Sequence, residues 1–407
     1  MGGGLMQLVA YGAQDVYLTG NPLITFFKVI YRRHTNFAVE SIEQTFNGST
    51  SFAGSEKKVT ATISRNGDLI TNMWLEIDLP VLDATQQWCS NVGHAMIKSV
   101  ELEIGGQRID KWDSCIIDAW QELTCTAEKA AGYATMTESG PGFAAGVASK
   151  TGDDEFKAKK LYIPLQFFFC RNVGLALPLI ALQYHEVKIN IEFRSYAQVM
   201  GMTNSGSKPV PTDDPSPKLY VDYVYLDTDE RRRFAQVSHE MLIEQVQFTG
   251  EETLTTNANQ VKLNFNHPVK ELIMLKLPST DVPSKDVTLG STPGTDIHIN
   301  RYFDYEEINF MKLMLNGHER FSERKGPYFN LVQPYQHHTR VPEKKVYVYS
   351  FALKPEEHQP SGTCNFSRID NAVLSITVAA AGRIKVYALS YNVLRIMSGM
   401  GGLAFSN

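Results

Sequence analysis

Along most of the chain, apolar residues recur at every second position. Val59, Ala61 and Ile63 alternate with threonines and Ser64 before Asn66-Gly67. Met73, Leu75, Ile77 and Leu79 alternate and stop at Pro80, and Val100, Leu102 and Ile104 run into Gly105-Gly106. Val187, Ile189, Ile191 and Phe193 repeat the pattern, as do Leu219, Val221, Tyr223 and Tyr225. Period two is the mark of a strand with one face buried. Val39 to Phe46 reads as another strand, closed by the turn signal Asn47-Gly48. Helical spacing is rarer. Ser114 to Cys125 sets Ile117, Trp120 and Leu123 on one face, and Thr228 to Gln236 has acids in its first turn, as a connector helix should. Asn21 to Arg33 predicts a short helix starting near Pro22, with Phe26, Phe27, Val29 and Ile30 on its apolar side.

The most apolar stretch is Leu161 to Ile189. Pro164, Gly174 and Pro178 interrupt it, so no long helix crosses it, and Arg171, Asn172 and His185 make it too polar to span a membrane. It reads as buried strand, tight corner, buried strand. Phe167, Phe168 and Phe169 cannot all face one side of a strand. They predict either a bulge or a ring that packs across a domain boundary or onto a neighbouring subunit.

The second half of the chain echoes the first. Ile42-Glu43-Gln44 recurs as Ile243-Glu244-Gln245, and Val59 to Ile63 as Val261 to Phe265. Leu75 to Pro80 recurs as Leu275 to Pro278, Ile104-Gly105-Gly106 as Leu315-Asn316-Gly317, and Leu161 to Leu165 loosely as Val346 to Phe351. Five matches in one order, each on a predicted strand, imply two related β-domains in tandem. The predicted fold is all-β, two eight-stranded jelly rolls with short helices in the connections. Such sandwiches hide their strand edges by packing two sheets. The division read from the chain is an N-terminal arm (1–25), jelly roll one (26–227), a connector (228–240) and jelly roll two (241–407).

Composition narrows the function. A formal net charge of −5 over 407 residues argues against a protein built to coat nucleic acid, and no specific nucleic-acid binding is expected. Five unevenly spaced cysteines without a CxxC pair suit free thiols in a reducing compartment. The start MGGGLMQLVAYG has neither a basic region nor a long apolar core, so no secretory signal is expected. Met6 stands where myristoylation prefers Ser or Thr. No phosphate loop, nucleophile elbow or HExxH motif is present, and neither an enzyme nor a bound metal or other cofactor is expected. His337, His338 and His358 read as loop histidines. Tyr302, Phe303 and Tyr305 read as a buried loop anchor. Arg231, Arg232 and Arg233, beside Asp227, Asp229 and Glu230, read as a connector that salt-bridges the domains or contacts another subunit. Asn47 and Asn365 begin N-glycosylation sequons.

Longer segments carry more information than these motifs. AYGAQDVYLTGNP (10–22), FFKVIYRRHTNF (26–37), ELEIGGQRID (101–110), LALPLIALQYHEVK (175–188), LDTDERRRFAQ (226–236) and FALKPEEHQPSGTCNFSRIDNA (351–372) resemble the major capsid proteins of large icosahedral nucleocytoplasmic double-stranded DNA viruses, above all those infecting algae. The likeness spans nearly the whole chain in order. It implies a double jelly roll, a homotrimer whose six jelly rolls make a pseudo-hexagonal capsomer, and contacts with neighbouring capsomers in the virion shell, assembled in the host cytoplasm. The arm is the candidate for reaching minor capsid proteins and an internal membrane layer. The alternatives are a minor capsid or spike paralogue on the same fold, and a carbohydrate-binding β-sandwich.

Overall fold

The structure is a computed structural model. It describes residues 3–48, 50–51, 55–80, 86–89, 91–137, 159–203, 217–279, 287–288, 296–298 and 302–405. The chain divides into two units, Met1–Asn36 and Phe37–Asn407. The first holds two short helices, Gly3–Val9 and Asp15–Thr19. The helix expected over 21–33 is not formed. Asn21 takes a left-handed φ of 51°, and a residue before proline is steered away from helix, so the chain leaves the Asp15–Thr19 helix extended. Residues 26–36, expected in jelly roll one, belong to this first unit.

Eight strands then build the first sandwich: β1 Phe37–Gln44, β2 Lys57–Thr62, β3 Leu69–Leu79, β4 Ile97–Ile104, β5 Gln107–Asp113, β6 Lys159–Pro164, β7 Val187–Phe193 and β8 Lys218–Leu226. One sheet runs β1-β8-β3-β6, the other β2-β7-β4-β5, with every pair antiparallel. After the helix Thr228–Gln236, capped by Asp227, come β9 His239–Leu254, β10 Asn257–Lys262, β11 Pro268–Pro278, β12 Phe310–Leu315, the split pair β13 His318–Glu319 and β14 Arg324–Lys325, β15 Val346–Ser350, β16 Ala372–Val378 and β17 Gly382–Met397. Their sheets run β9-β17-β11-β15 and β10-β16-β12-β13, with β14 also on β12. Counted by rank within its half, each sandwich has the order 1-8-3-6 over 2-7-4-5. This is the jelly-roll topology, repeated.

All five sequence matches fall on strands of equal rank or on the turn between them. The turn after the fourth strand is the clearest case. Gly105 and Gly106 have φ of 58° and 84°, Asn316 and Gly317 of 50° and 79°, so both hairpins use a two-residue turn that requires left-handed backbone at both positions. A Cβ on Gly105 would also sit 2.2 Å from the His185 ring.

The halves differ in how much of each sheet is wetted. In β3 the buried residues Met73, Leu75, Ile77 and Leu79 alternate with half-exposed Trp74, Glu76 and Asp78. In its counterpart β11 everything from Val269 to Leu277 is buried. Leu272 and Met274 join the core of the second sandwich, while Ile273, Leu275 and Leu277 join the core cluster that continues from the first. The outer face of the second β9-β17-β11-β15 sheet therefore lies against jelly roll one. Small strands Gln86–Trp88, Met200–Thr203, Asp296–His298 and Val287–Thr288 form a further sheet with members from both halves.

Candidate assembly interface

The joint between the sandwiches is built on the helix Ser114–Thr124, which follows β5 and is capped by Asp113 through the Ile116 amide. Its apolar face, Ile116, Ile117, Trp120 and Leu123, is buried in jelly roll one. Asp118 is also buried. It accepts hydrogen bonds from Asn91 Nδ2 at 2.7 Å and from the Tyr305 hydroxyl at 3.0 Å, and pairs with Lys344 Nζ at 2.5 Å. Burial alone would raise its pKa, but Lys344 and the neighbouring His94 outweigh that and hold the carboxyl well below the usual range. Lys344 and Tyr305 belong to jelly roll two, so one carboxylate ties the halves together.

Two more cross-links flank it. Asp113 accepts from the Tyr387 hydroxyl at 2.6 Å and pairs with Lys385 at 3.3 Å. Burial opposes the Lys385 charge, yet Cys115, Asp113 and Glu251 raise its pKa overall. Farther along, the edge strands β5 and β9 meet through side chains. The Val246 amide donates to Asp110 Oδ1 at 3.0 Å, and Gln245 Nε2 donates to the Ile109 carbonyl. Desolvation pushes the Asp110 carboxyl up to about 6, against the pull of the Val246 amide and the Trp112 indole donor, 2.7 Å away. Each edge is thereby covered by the other half instead of being left open.

The Phe167–Phe169 run lies in this region, though not as strand. Phe168–Arg171 is a helical turn, and Phe167, Phe168 and Phe169 are at most 1% exposed within the single chain. They have no surface to offer another subunit, so a trimer contact through these rings is ruled out. Helical geometry resolves the crowding that a strand could not. The turn aims Arg171 between the Trp112 and Trp120 rings and onto Glu244 of jelly roll two at 2.8 Å. Glu244 also pairs with Lys270 Nζ at 2.7 Å. Lys270 sits at a bulge in β11, and it and its neighbour Glu271 are both buried.

The other singled-out residues separate. Arg231 pairs with Asp68 of jelly roll one at 2.9 Å, whereas Arg232 and Arg233 are exposed. His338 is buried between two carboxylates, Nε2 2.9 Å from Glu271 and Nδ1 2.9 Å from Glu356. Burial would lower its pKa, but those carboxylates raise it to about 9. His337 contacts the Leu353 carbonyl, and His358 lies 3.9 Å from Glu244. Phe303 and Tyr305 are buried anchors. Asn47 is exposed, with its sequon partner Ser49 outside the described residues. Asn365 is exposed and caps a short 3-10 turn through the Ser367 amide. Among the described residues no group of three or more His, Cys, Asp or Glu could hold a metal ion, and no helix is long and apolar enough to cross a membrane. Sequence reasoning missed Asp118, Lys344 and Lys385. The available signal was an acid inside an otherwise apolar helix face, IIDAW.

Two jelly rolls of one topology, joined through buried ion pairs and a shared apolar core, define a double jelly-roll capsid subunit. The comparisons agree. The family described as "Major capsid protein N-terminus" matches residues 25–227, and "Large eukaryotic DNA virus major capsid protein" matches residues 230–402. The major capsid protein of Pyramimonas orientalis virus is 54% identical over 100% of both chains, and that of Paramecium bursaria Chlorella virus 1 is 45% identical over 100% of both. The PBCV-1 VP54 crystal structure, as fitted into a reconstruction of the virophage Sputnik, superposes with a TM-score of 0.78 at 40% identity, covering 94% of this chain and 100% of that one. The Faustovirus major capsid protein shares the fold, with a TM-score of 0.70 at 13% identity over 97% of this chain and 96% of that one. The chain belongs to the large eukaryotic DNA virus major capsid protein family, and its role is structural, as a subunit of the virus capsid.

Proposed function

We propose that the chain forms a homotrimer whose six jelly rolls make a pseudo-hexagonal capsomer, and that capsomers tile the faces of the shell after assembly in the host cytoplasm. The observation that carries this is the strand-for-strand equivalence of the two halves. Three copies of a chain with two like domains approximate six-fold symmetry, which packs into a hexagonal array. In this reading the arm, extended to Asn36, reaches minor capsid proteins or an internal membrane layer. Its apolar side chains support that role. Tyr17, Leu18, Leu23, Phe26, Phe27 and Tyr31 are each more than 80% exposed, a run that needs a partner. Light scattering on the purified chain tests the first part: a particle of three times 45.6 kDa is expected, and a monomer refutes it. Deleting residues 1–36 should leave that particle intact and abolish shell assembly in electron micrographs. Loss of the trimer on deletion refutes the assignment of the arm.

A further inference from the structure

Jelly roll two buries a lysine directly against a carboxylate. Lys270 Nζ is 2.7 Å from Glu244 Oε1, and the two side chains are 0% and 8% exposed. Among the described ion pairs no other joins a lysine and a carboxylate that are both under a tenth exposed. Lys276 meets Glu306, which is 37% exposed, and Lys344, on Asp118, is itself 26% exposed. The pair does not bridge neighbouring strands. Glu244 stands on β9 and Lys270 on β11, and β17 runs between them, with Glu244 opposite Tyr391. Lys270 Nζ lies over the Tyr391 ring, 5.5 Å from its centre.

The surroundings prepare both groups to react. Burial, with the charge of Arg171 beside it, lowers the pKa of Lys270 against the pull of Glu244 and Glu271. A lysine desolvated in this way is a nucleophile. Arg171 holds the other oxygen of Glu244, Oε2, at 2.8 Å, where a guanidinium stabilises charge that develops on that oxygen. Glu271 follows Lys270 in the chain, is 0% exposed, and can take a proton from Nζ and pass it on. The cluster also stays neutral without the pair. Arg171, Lys270 and His338 stand against Glu244, Glu271 and Glu356, and removing one of each sign leaves two against two.

We infer that Lys270 and Glu244 condense into an isopeptide bond that staples β9 to β11 across β17. The ammonium gives one proton to Glu271. The amine then attacks Cδ of Glu244, so that an N–C bond forms and the C–Oε1 bond breaks. Oε1 leaves as water, with the proton from Glu271 and a second one from Nζ. Oε2, held by Arg171, becomes the amide carbonyl oxygen. One ammonium and one carboxylate thus give one amide and one water, and neither oxidant nor cofactor enters. Two features drive the step. A fixed contact replaces a collision, equivalent to an effective concentration of ~10⁵ M or more. Condensation also removes two charges from an interior that penalises both. A cavity of about 300 Å³ lined by Arg171, Glu244 and His358 adjoins the pair and gives the water a way out.

The test is mass spectrometry of the full-length chain, held at neutral pH until its mass is constant and then denatured. The intact mass should fall short of the sequence mass by one water. Trypsin cuts after lysine and arginine, so it should fail at Lys270, and residues 263–276 should be recovered joined to residues 234–262. Lys270→Met should keep its full sequence mass and release 234–262 unattached. Glu271→Gln keeps the side-chain size but takes no proton, and should slow the loss of water about 100-fold or more. A wild-type chain at its full sequence mass, with 263–270 and 271–276 released as separate peptides, overturns the bond whatever the variants do. A wild type that lacks one water but yields no joined peptide overturns it equally, since the water was then lost elsewhere. A Glu271→Gln chain that condenses at the wild-type rate overturns the route through Glu271.

Discussion

Asp118→Ala removes one carboxylate that serves four groups, two of them, Lys344 and Tyr305, across the joint. Lys344 loses its 2.5 Å partner, and the buried donors of Asn91 and Tyr305 lose their acceptor beside His94. Breaking a buried ion pair from one side costs about 3–5 kcal/mol because the remaining charge stays desolvated. We take about 4 kcal/mol. With an unfolding entropy of about 2.1 cal/mol/K per residue, about 370 residues give about 0.8 kcal/mol/K, so the midpoint should fall by about 5 °C. Scanning calorimetry at fixed protein concentration measures it, since assembly makes the midpoint concentration-dependent. Lys344→Met supplies the second arm of a double-mutant cycle. The two substitutions together should cost less than the sum of the singles by at least about 1 kcal/mol, because the orphaned charge is then gone. A fall below about 1 °C, or additive singles, would show that the joint does not depend on this ion pair.

Four further outcomes follow from the same geometry. His338 has a pKa raised to about 9 from 6.5, so its stabilising contribution is full below pH 6.5 and lost as pH rises through about 9; the stability gap between wild type and His338→Gln should close over that interval in urea titrations. Phe168→Ala should cost about 3–5 kcal/mol of subunit stability, seen in monomer and assembled protein alike, because the ring is buried within the chain. Burial pushes the Cys89 and Cys115 thiols up to about 12 and about 11, so iodoacetamide at pH 8 should leave both unmodified in native protein and label them after unfolding, read by peptide mass spectrometry. Residues 238–407 expressed alone should be insoluble and recovered by co-expression with residues 1–237, since the sheet holding Ile273, Leu275 and Val348 loses its cover; a soluble, monomeric fragment would contradict the two-faced burial of that sheet.

The strands were legible because most have one wet face. β3, β4 and β7 alternate apolar and polar residues, and the pattern locates them. The duplication was legible at strand rank, but not at residue register in the 1-8-3-6 sheets. Leu75 matched to Leu275 pairs a residue facing the core of jelly roll one with a residue facing the joint. A one-residue slip reverses every side chain of a strand, and β11 is apolar on both faces, so alternation there carries no phase. The Phe167–Phe169 turn failed for a related reason. A short apolar run does not declare its period, and the helical turn is set by tertiary packing around Trp112, Trp120 and Arg171. The ion pairs of the joint were out of reach, since Asp118 and Lys344 are joined only by the fold.

The unequal wetting of β3 and β11 also gives the chain a direction in time. The half that leaves the ribosome first has a sheet whose outer face water tolerates, Trp74, Glu76 and Asp78. The half made second has a sheet that water does not tolerate on either side. When that sheet emerges, the surface that will cover it has already been synthesised and is joined to it through the helix Thr228–Gln236. Had the two sandwiches been encoded in the opposite order, the apolar sheet would wait uncovered in a cell filling with identical copies. The duplicated halves thus stand in the order in which the cover of the two-faced sheet precedes the sheet along the chain.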